Sequence, residues 1–348
     1  GKDGEKPEDV LKAYMDCITG QEYDKMYEMI DQEEAEGVTR EEFVERNSAI
    51  YEGIGVSSLS VKVKEQEEDS LTVSYETSME TSAGTVNFDN QVSFREAKED
   101  GKKEYCLLWD DSVIFPDLTD TDKVRVSVTK AERGEIYDRN DSLLAGAGMA
   151  SSVGIIPEKM DDREASVKKI AELLDMKEET IEKKLDAAWV KDNSFVPVKT
   201  LPRVTELDLS KVNPDKEDLK QKELQDRLLE VPGVMISDEE VRTYPLGEAA
   251  AHLVGYVQNV TAEDLEEHKG EGYSSDSVIG RSGAESPFEK ELKGQDGYEI
   301  YIADEEGNMK EEIANLPVQD GKDIKLTIDS GIQKSLYKQF QEDKSCSV

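Results

Sequence analysis

The sequence predicts an α+β chain: helices followed by antiparallel strands, then a second, mixed domain and the start of a third. Three observations carry this. Apolar residues recur at helical spacing as far as Tyr51, and at every second residue from Leu59 to Trp109. The segment Phe115-Pro116-Asp117-Leu118-Thr119-Asp120 interrupts the pattern as a linker. Beyond it strands and amphipathic helices alternate without an internal repeat, in a chain whose 348 residues suffice for two or three cores.

In the first domain Val10, Tyr14, Cys17 and Ile18 share a helical stripe that Gly20 ends, and Tyr23, Met26, Tyr27 and Ile30 form the next. Thr39 followed by Glu42 is a capping-box signature, opening a helix that carries Phe43, Ile50 and Tyr51. Alternation then runs through Leu59, Val61 and Val63, through Leu71, Val73, Tyr75, Thr77 and Met79, and through Val86, Phe88, Asn90, Val92 and Phe94. Tyr105, Leu107 and Trp109 finish the set. Glu67-Glu68-Asp69, Ala83-Gly84 and Glu99-Asp100-Gly101 connect these runs as hairpins. The domain closes at about residue 117, with one sheet face wet and the other on the helices.

After the linker, Val124, Val126 and Val128 alternate as a strand leading into RGEIYDRNDSLLA, residues 133–145. Arg163 to Asp175 and Glu178 to Val190 read as amphipathic helices, with Ile170, Leu173 and Leu174, then Ile181, Leu185 and Ala188, on their faces. Residues 191–212 read as extended, Glu217 to Glu230 as a helix closed by Pro232-Gly233, and Glu239 to Gly255 as a strand, a Pro-containing turn and an Ala-rich helix start. Gly294 to Asn308 reads as a hairpin with Tyr298, Ile300 and Ile302 on one face. Ile324, Leu326 and Ile328 give a last strand, and Gly331 to Phe340 a last helix.

Charge narrows the function classes. Lys and Arg number 43 against 80 Asp and Glu, a net charge of −37 that repels phosphate backbones and anionic headgroups. Nucleic-acid binding is not expected. No apolar run reaches the roughly 20 residues a membrane helix needs. Cys17, Cys106 and Cys346 are far apart, so they indicate neither a disulfide framework nor a zinc cluster, and Cys17 and Cys106 read as small buried hydrophobes. His252 and His268 have no ligand set around them, and no cofactor or metal is expected.

In RGEIYDRNDSLLA, Arg133 and Asp138 are placed to pair across a turn, Gly134 permits a positive φ, and Asn140-Asp141 is a hairpin corner. No nucleophile or neutral-pH base accompanies them, so spacing alone reads the stretch as scaffold. Ser166 with Lys169 and Ser335 with Lys338 match a Ser-x-x-Lys pattern; the first reads as an exposed, Lys-rich helix face, the second as one turn of the last helix. A serine acyltransferase also needs Ser-x-Asn and Lys-Thr-Gly, and Lys199-Thr200 is followed by Leu201. Gly280, Gly283, Gly294 and Gly297 lack phosphate-loop spacing. Glu263-Asp264 and Glu266-Glu267 read as helix surface.

These stretches, taken together, resemble a known family. RGEIYDRNDSLLA is similar to the RGxIxDRNGxxLA element of class B penicillin-binding proteins, with Asp141 for glycine. WVKDNSFVPVKTL at 189–201 fits an extended segment of that family loosely. VRTYPLGEAAAHLVGYV at 241–257, IGRSGAESPFEKELKGQDG at 279–297 and LTIDSGIQ at 326–333 follow in the family's order, with Ala284 for leucine and Phe288 for tyrosine. The first 117 residues are similar to the NTF2-like amino-terminal domain of the low-affinity subgroup, which includes the methicillin-resistance type.

The resemblance implies an NTF2-like domain at 1–117, an elongated α+β dimerisation or pedestal domain at 118–323, and a truncated start of the transpeptidase domain at 324–348, with Ser345-Cys346-Ser347-Val348 just inside it. Arg133, Gly134, Asp138, Arg139, Tyr244, Pro245, Gly247, Gly255, Gly283, Glu285, Gly294 and Gly297 are then structural motif residues, none of them catalytic. The implied role is a non-enzymatic stalk that positions a serine D,D-transpeptidase in peptidoglycan synthesis. The full-length parent would bind penicillin covalently. It would face the outside of a Gram-positive cell, tethered by a segment upstream of Gly1, with cell-wall synthesis proteins as partners. The alternative is a stand-alone extracytoplasmic module that binds a wall fragment or a protein through its NTF2-like cavity or interdomain groove. Residual acyl transfer through Ser335 and Lys338 is a third, weaker reading.

Overall fold

A computed structural model describes residues 5–33, 38–99 and 101–340. Cys346, Ser345–Val348 and Asp100 of the expected third turn lie outside the described residues. The elements run α1 (Pro7–Thr19), α2 (Tyr23–Glu28), α3 (Arg40–Gly53), β1 (Ser58–Val63), β2 (Thr72–Thr81), β3 (Gly84–Glu99), β4 (Lys102–Leu107), β5 (Lys123–Thr129), β6 (Ile136–Tyr137), β7 (Leu143–Ile155), α4 (Arg163–Leu174), α5 (Glu178–Leu185), β8 (Val196–Pro202), α6 (Glu206–Leu209), α7 (Lys216–Leu229), β9 (Val234–Thr243), α8 (Ala251–Val254), β10 (Val257–Asn259), α9 (Ala262–Glu267), β11 (Val278–Gly280), α10 (Glu289–Leu292), β12 (Gly297–Ala303), β13 (Met309–Leu316), β14 (Ile324–Lys325) and α11 (Ser330–Gln339). The α+β class is as the sequence predicts. None of the described helices is long and apolar enough to cross a membrane.

Two compact units emerge, each discontinuous in sequence: the residues up to Glu132 with Lys293–Gly321, and Arg133–Leu292 with the residues from Lys322 on. The cuts therefore differ from the 117/118 and 323/324 boundaries of the sequence reading. Packing is the reason. In the first unit β5 pairs along its whole length with β12, from Thr129 opposite Gly297 to Lys123 opposite Ala303, and Ile300 and Ile302 enter the same core as Leu11, Tyr14, Phe43 and Tyr75.

That core lies between α1–α3 and the antiparallel sheet β1-β2-β3-β4. Val73, Tyr75, Thr77 and Met79 are buried on one face of β2, the outcome of period-two alternation. Leu71 precedes β2 and stays exposed. The capping box forms as expected: Glu42 N donates to Thr39 Oγ1 at 3.2 Å and Thr39 N to Glu42 Oε2 at 2.9 Å. Cys17 is buried, whereas Cys106 faces the other side of β4 from buried Leu107 and is only half-buried.

The second unit holds two separate cores. One packs α4, α5 and α7 on β7, β8 and β9 through Val153, Ile155, Val167, Ile170, Ile181 and Leu228. The other gathers Ile136, Leu144, Ala145, Ala250, Val254, Ala284 and Leu292. The long strand β7 joins them, pairing with β9 over Gly146–Ile155 but with β8 only from Ala150 on. Several expectations change here. The second of the two amphipathic helices stops at Leu185, leaving Ala188 exposed, and the extended segment 191–212 includes α6. Ser166 is not on an exposed face: it is buried and its hydroxyl donates to the Pro232 carbonyl at 3.0 Å, tying α4 to the end of α7. The last strand is short, since only Ile324 and Lys325 pair with β6, while Leu326 and Ile328 pack on the second core of this unit.

Candidate functional site

The RGEIYDRNDSLLA stretch sits in the second unit as a clamp on neighbouring segments. Its strand β6 pairs antiparallel with β7 and parallel with β14. Gly134 N donates to Leu292 O at 2.8 Å, and a Cβ on Gly134 would stand 2.0 Å from the Lys322 carbonyl oxygen, so only glycine allows this approach. At the corner Asp138 N bonds Ser142 O at 2.8 Å, and Asp141 takes a φ of 63°, the left-handed conformation expected of it.

Asp138 and Arg133 do not pair with each other; each has a different partner. The buried Asp138 carboxylate accepts three backbone N–H groups: those of Asn140 and Ser142 at 2.8 Å each, and that of Ser330 at 3.0 Å. The Ser330 contacts, then the backbone donors of the corner, hold its carboxyl well below the usual carboxylate range. Ser330 is the first residue of α11, whose N-cap Asp329 accepts from Ile332 N at 3.0 Å and from Asn140 Nδ2 at 3.2 Å. Arg139 N donates to Ile328 O at 2.8 Å, while its side chain is exposed. The corner thus fixes the start of α11. Gln333 and Tyr337 of that helix donate to Ala249 O at 2.7 Å and Glu248 Oε2 at 2.6 Å.

Arg133 turns to Glu285, a fully buried carboxylate. Its Nε and Nη2 reach Glu285 Oε2 at 2.9 and 2.7 Å, and Nη2 also reaches Glu289 Oε2 at 2.6 Å. The other oxygen of Glu285 accepts from Arg242 Nε and, at 3.1 Å, from the Tyr244 hydroxyl. Burial works against the Arg133 charge, but Glu289 and Glu285 keep its pKa above the ordinary value. Burial, then the Glu285 charge, pushes the Tyr244 hydroxyl up to about 12. Tyr244 also begins a turn with Pro245 at its second position, closed by Gly247 N to Tyr244 O at 2.9 Å.

Gly255 and Gly283 bring two chain segments together beside Glu285: a Cβ on Gly255, at φ 79°, would stand 1.8 Å from Ser282 O. Of the residues singled out from sequence, Arg133, Gly134, Asp138, Arg139, Tyr244, Pro245, Gly247, Gly255, Gly283 and Glu285 share the second unit, whereas Gly294 and Gly297 belong to the first. There a Cβ on Gly294 would stand 2.5 Å from Gln319 O.

Sequence reasoning missed Arg242, Glu289, Asp329 and Ser330 as members of this network. It also missed Asp264, which is no surface carboxylate: it is buried, closes a capping box with Thr261, and takes a fork from Arg281 at 2.8 and 2.5 Å. That guanidinium holds the Asp264 carboxyl well below the usual range. The Thr261-x-x-Asp264 spacing was the available signal. Ser335 is exposed and donates to Gly331 O at 3.0 Å, a bond within its own helix. Among the described residues no cluster of His, Cys, Asp and Glu is placed to hold a metal ion. The arrangement fixes backbone segments; its charges are matched to one another.

Buried ion pairs spent on backbone placement, in a unit that clamps the start of α11, define a structural domain of a larger architecture. Residues 128–326 match the family model described as the Penicillin-binding Protein dimerisation domain, and residues 6–122 the one described as an NTF2-like N-terminal transpeptidase domain. The chain belongs to the class B penicillin-binding proteins and carries their N-terminal and dimerisation region. It is 36% identical over 99% of its length to Penicillin-binding protein 3 of Bacillus subtilis (strain 168), covering 50% of that protein. It is 28% identical over 61% of its length to the peptidoglycan D,D-transpeptidase MrdA of Escherichia coli (strain K12), covering 32% of it. The chain thus spans half or less of these relatives. A solved complex between Penicillin-Binding Protein (PBP2) and MreC from Helicobacter pylori gives a TM-score of 0.39 at 21% identity, covering 63% of this chain and 39% of that one.

Proposed function

We propose that this chain is the non-catalytic stalk and pedestal of a serine D,D-transpeptidase that cross-links peptidoglycan. The observation that carries the reading is the Asp138 clamp. Three backbone donors converge on one buried carboxylate, and one of them is the first residue of α11, just beyond the end of the matched dimerisation region. A pedestal has to fix where a following domain starts, and this contact does so. Arg133, Gly134, Glu285, Tyr244, Pro245, Gly247, Gly255 and Gly283 support it from behind, with Arg139 at the corner and Gly294 and Gly297 in the first unit. In this reading the family's modules divide near residues 117 and 323.

The finer reading places the parent in the low-affinity, methicillin-resistance-like subgroup, which the match of residues 6–122 supports. It faces the outside of a Gram-positive cell, is tethered by a segment upstream of Gly1, and docks cell-wall synthesis proteins. The test is intact mass after incubation with excess penicillin, for this chain and for the gene's full product. The expected result is one adduct on the full product and none on this chain. An adduct on this chain that Ser335→Ala removes would make α11 an active site and overturn the pedestal reading. The stand-alone binding module draws support from a cavity of about 310 Å³ lined by Leu144, Tyr244, Leu246, Ala250, Val254 and Tyr256. Saturable binding of a muropeptide there, with no penicillin adduct on the full product, favours that second reading.

A further inference from the structure

The core of the first unit contains polar atoms whose partners lie nowhere in the protein. Tyr14 on α1, Asn47 on α3, Tyr75 and Thr77 on β2, and Trp109 after β4 are all buried. The hydroxyls of Tyr14, Tyr75 and Thr77, Oδ1 of Asn47 and Nε1 of Trp109 each lack a partner in hydrogen-bond geometry.

Their placement is convergent. Tyr75 and Thr77 alternate along β2 and share its inward face. Phe43, Asn47 and Tyr51 follow one stripe of α3, and the Phe43 ring meets Trp109 edge-on with centroids 4.9 Å apart. The Tyr14 hydroxyl interacts electrostatically with Tyr51, Trp109 and Tyr75. Asn47 spends its amide N–H on the Phe43 carbonyl at 2.9 Å, which leaves its carbonyl oxygen as the unshared end.

Buried polar groups almost always have a partner, and leaving one dry costs a sizeable part of a hydrogen bond's worth. Five dry atoms in one core would cost as much as a domain's entire stability. The chemistry of the set limits what can satisfy it. None of these side chains is charged, and burial pushes the Tyr14 and Tyr75 phenols upward, so both stay protonated. Three hydroxyls, an indole N–H and an amide oxygen require a small neutral molecule that both donates and accepts. An anion would find no cation, and a hydrocarbon would leave the donors unmet. Burial beneath α1 and α3 admits only a species that enters through small fluctuations.

We propose that the first unit encloses an internal hydration site, in which long-lived water molecules bridge Tyr14, Asn47, Tyr75, Thr77 and Trp109. The waters complete the fold as a structural ligand and connect helices to sheet.

The test uses the whole chain and water itself as probe. The sequence has only two tryptophans, and Trp189 is 57% exposed, so the buried Trp109 indole N–H can be assigned by Trp189→Phe. Paired nuclear and rotating-frame Overhauser spectra are expected to show that proton next to water of nanosecond or longer residence. Absence of such a cross-peak would overturn the proposal. Tyr75→Phe supplies an independent reading. Loss of a hydroxyl bound to water lowers the first unit's melting temperature by about 2–4 °C. An unchanged or higher value would mean that the hydroxyl was dry, and would equally overturn it. Should Tyr75→Phe fail to fold, the spectra on the unmodified chain still decide.

Discussion

Replacing Glu285 by glutamine tests how the second unit is held together. Glu285 is fully buried, and the Arg133 and Arg242 side chains that grip it are 10% and 9% exposed. The substitution keeps the shape and removes the charge. Arg133 retains Glu289, whereas Arg242 has no other ion pair among the described residues, so most of the cost falls on Arg242. Removing one partner of a buried pair costs about 3–5 kcal/mol, because the remaining charge is left without a counterpart. Against a total of about 5–15 kcal/mol this is a large fraction, equivalent to roughly 6–20 °C in the melting temperature of a unit this size. Differential scanning calorimetry gives the shift, and hydrogen exchange in β7 and β9 assigns it to the second unit. Adding Arg242→Met should restore much of the loss, since the uncompensated charge leaves with it. A shift below about 2 °C, or a double variant no more stable than the single one, would refute the reasoning.

Three further outcomes are expected. The folded pKa of Asp138 lies below its unfolded value of about 3.9, so its stabilising contribution is full above that pH and fades as pH falls through the folded value. Asp138→Asn should therefore speed amide exchange in the first turn of α11 at neutral pH, which the unmodified chain shows only in strong acid. Burial, then neighbouring Asp117, raises the Glu311 carboxyl above its unfolded value of about 4.3. Its contribution is thus full below that pH and lost as pH rises through the folded value, so urea unfolding should find Glu311→Gln more stable than the unmodified chain at pH ~7.5 but not at pH ~4. Gly255→Ala should cost at least about 3 kcal/mol by denaturant unfolding. Gly307→Ala, with φ 86° but open space around it, should cost about 1–2 kcal/mol.

What could be read from sequence was what is local. The stripe of α1, the capping box of α3, the inward face of β2 and the left-handed corner at Asp141 each arise from residues a few positions apart. The membership of β5 in the first unit could not be read this way, because its partner β12 follows a whole second unit and the alternation of Val124, Val126 and Val128 says nothing of which strand it meets. The same limit hid the site's true pairings. Arg133 and Asp138 lie close in sequence and invited a bond, but a guanidinium five residues away was outcompeted by the buried Glu285, and the Asp138 carboxylate by aligned backbone donors. Asp264 looked like surface because acidic runs usually are; its burial depends on Arg281, which sits beyond a loop. The shortened α5 reflects tertiary packing, since Ala188 finds no core to face.

The pairing of β5 with β12 also sets an order of events during synthesis. β5 is complete at Thr129, but its partner begins only at Gly297, about 170 residues later. At ~5–20 residues per second the interval lasts roughly 10–30 s. Through that time the edge of β5 has no hydrogen-bonding neighbour, and the first core lacks Ile300 and Ile302. Most of the second unit is made inside this window and is free to fold before the first is finished. The β12–β13 hairpin then acts as a late-arriving latch: a nascent chain stalled before Ala303 should expose the edge of β5 to any chaperone that recognises unpaired strands.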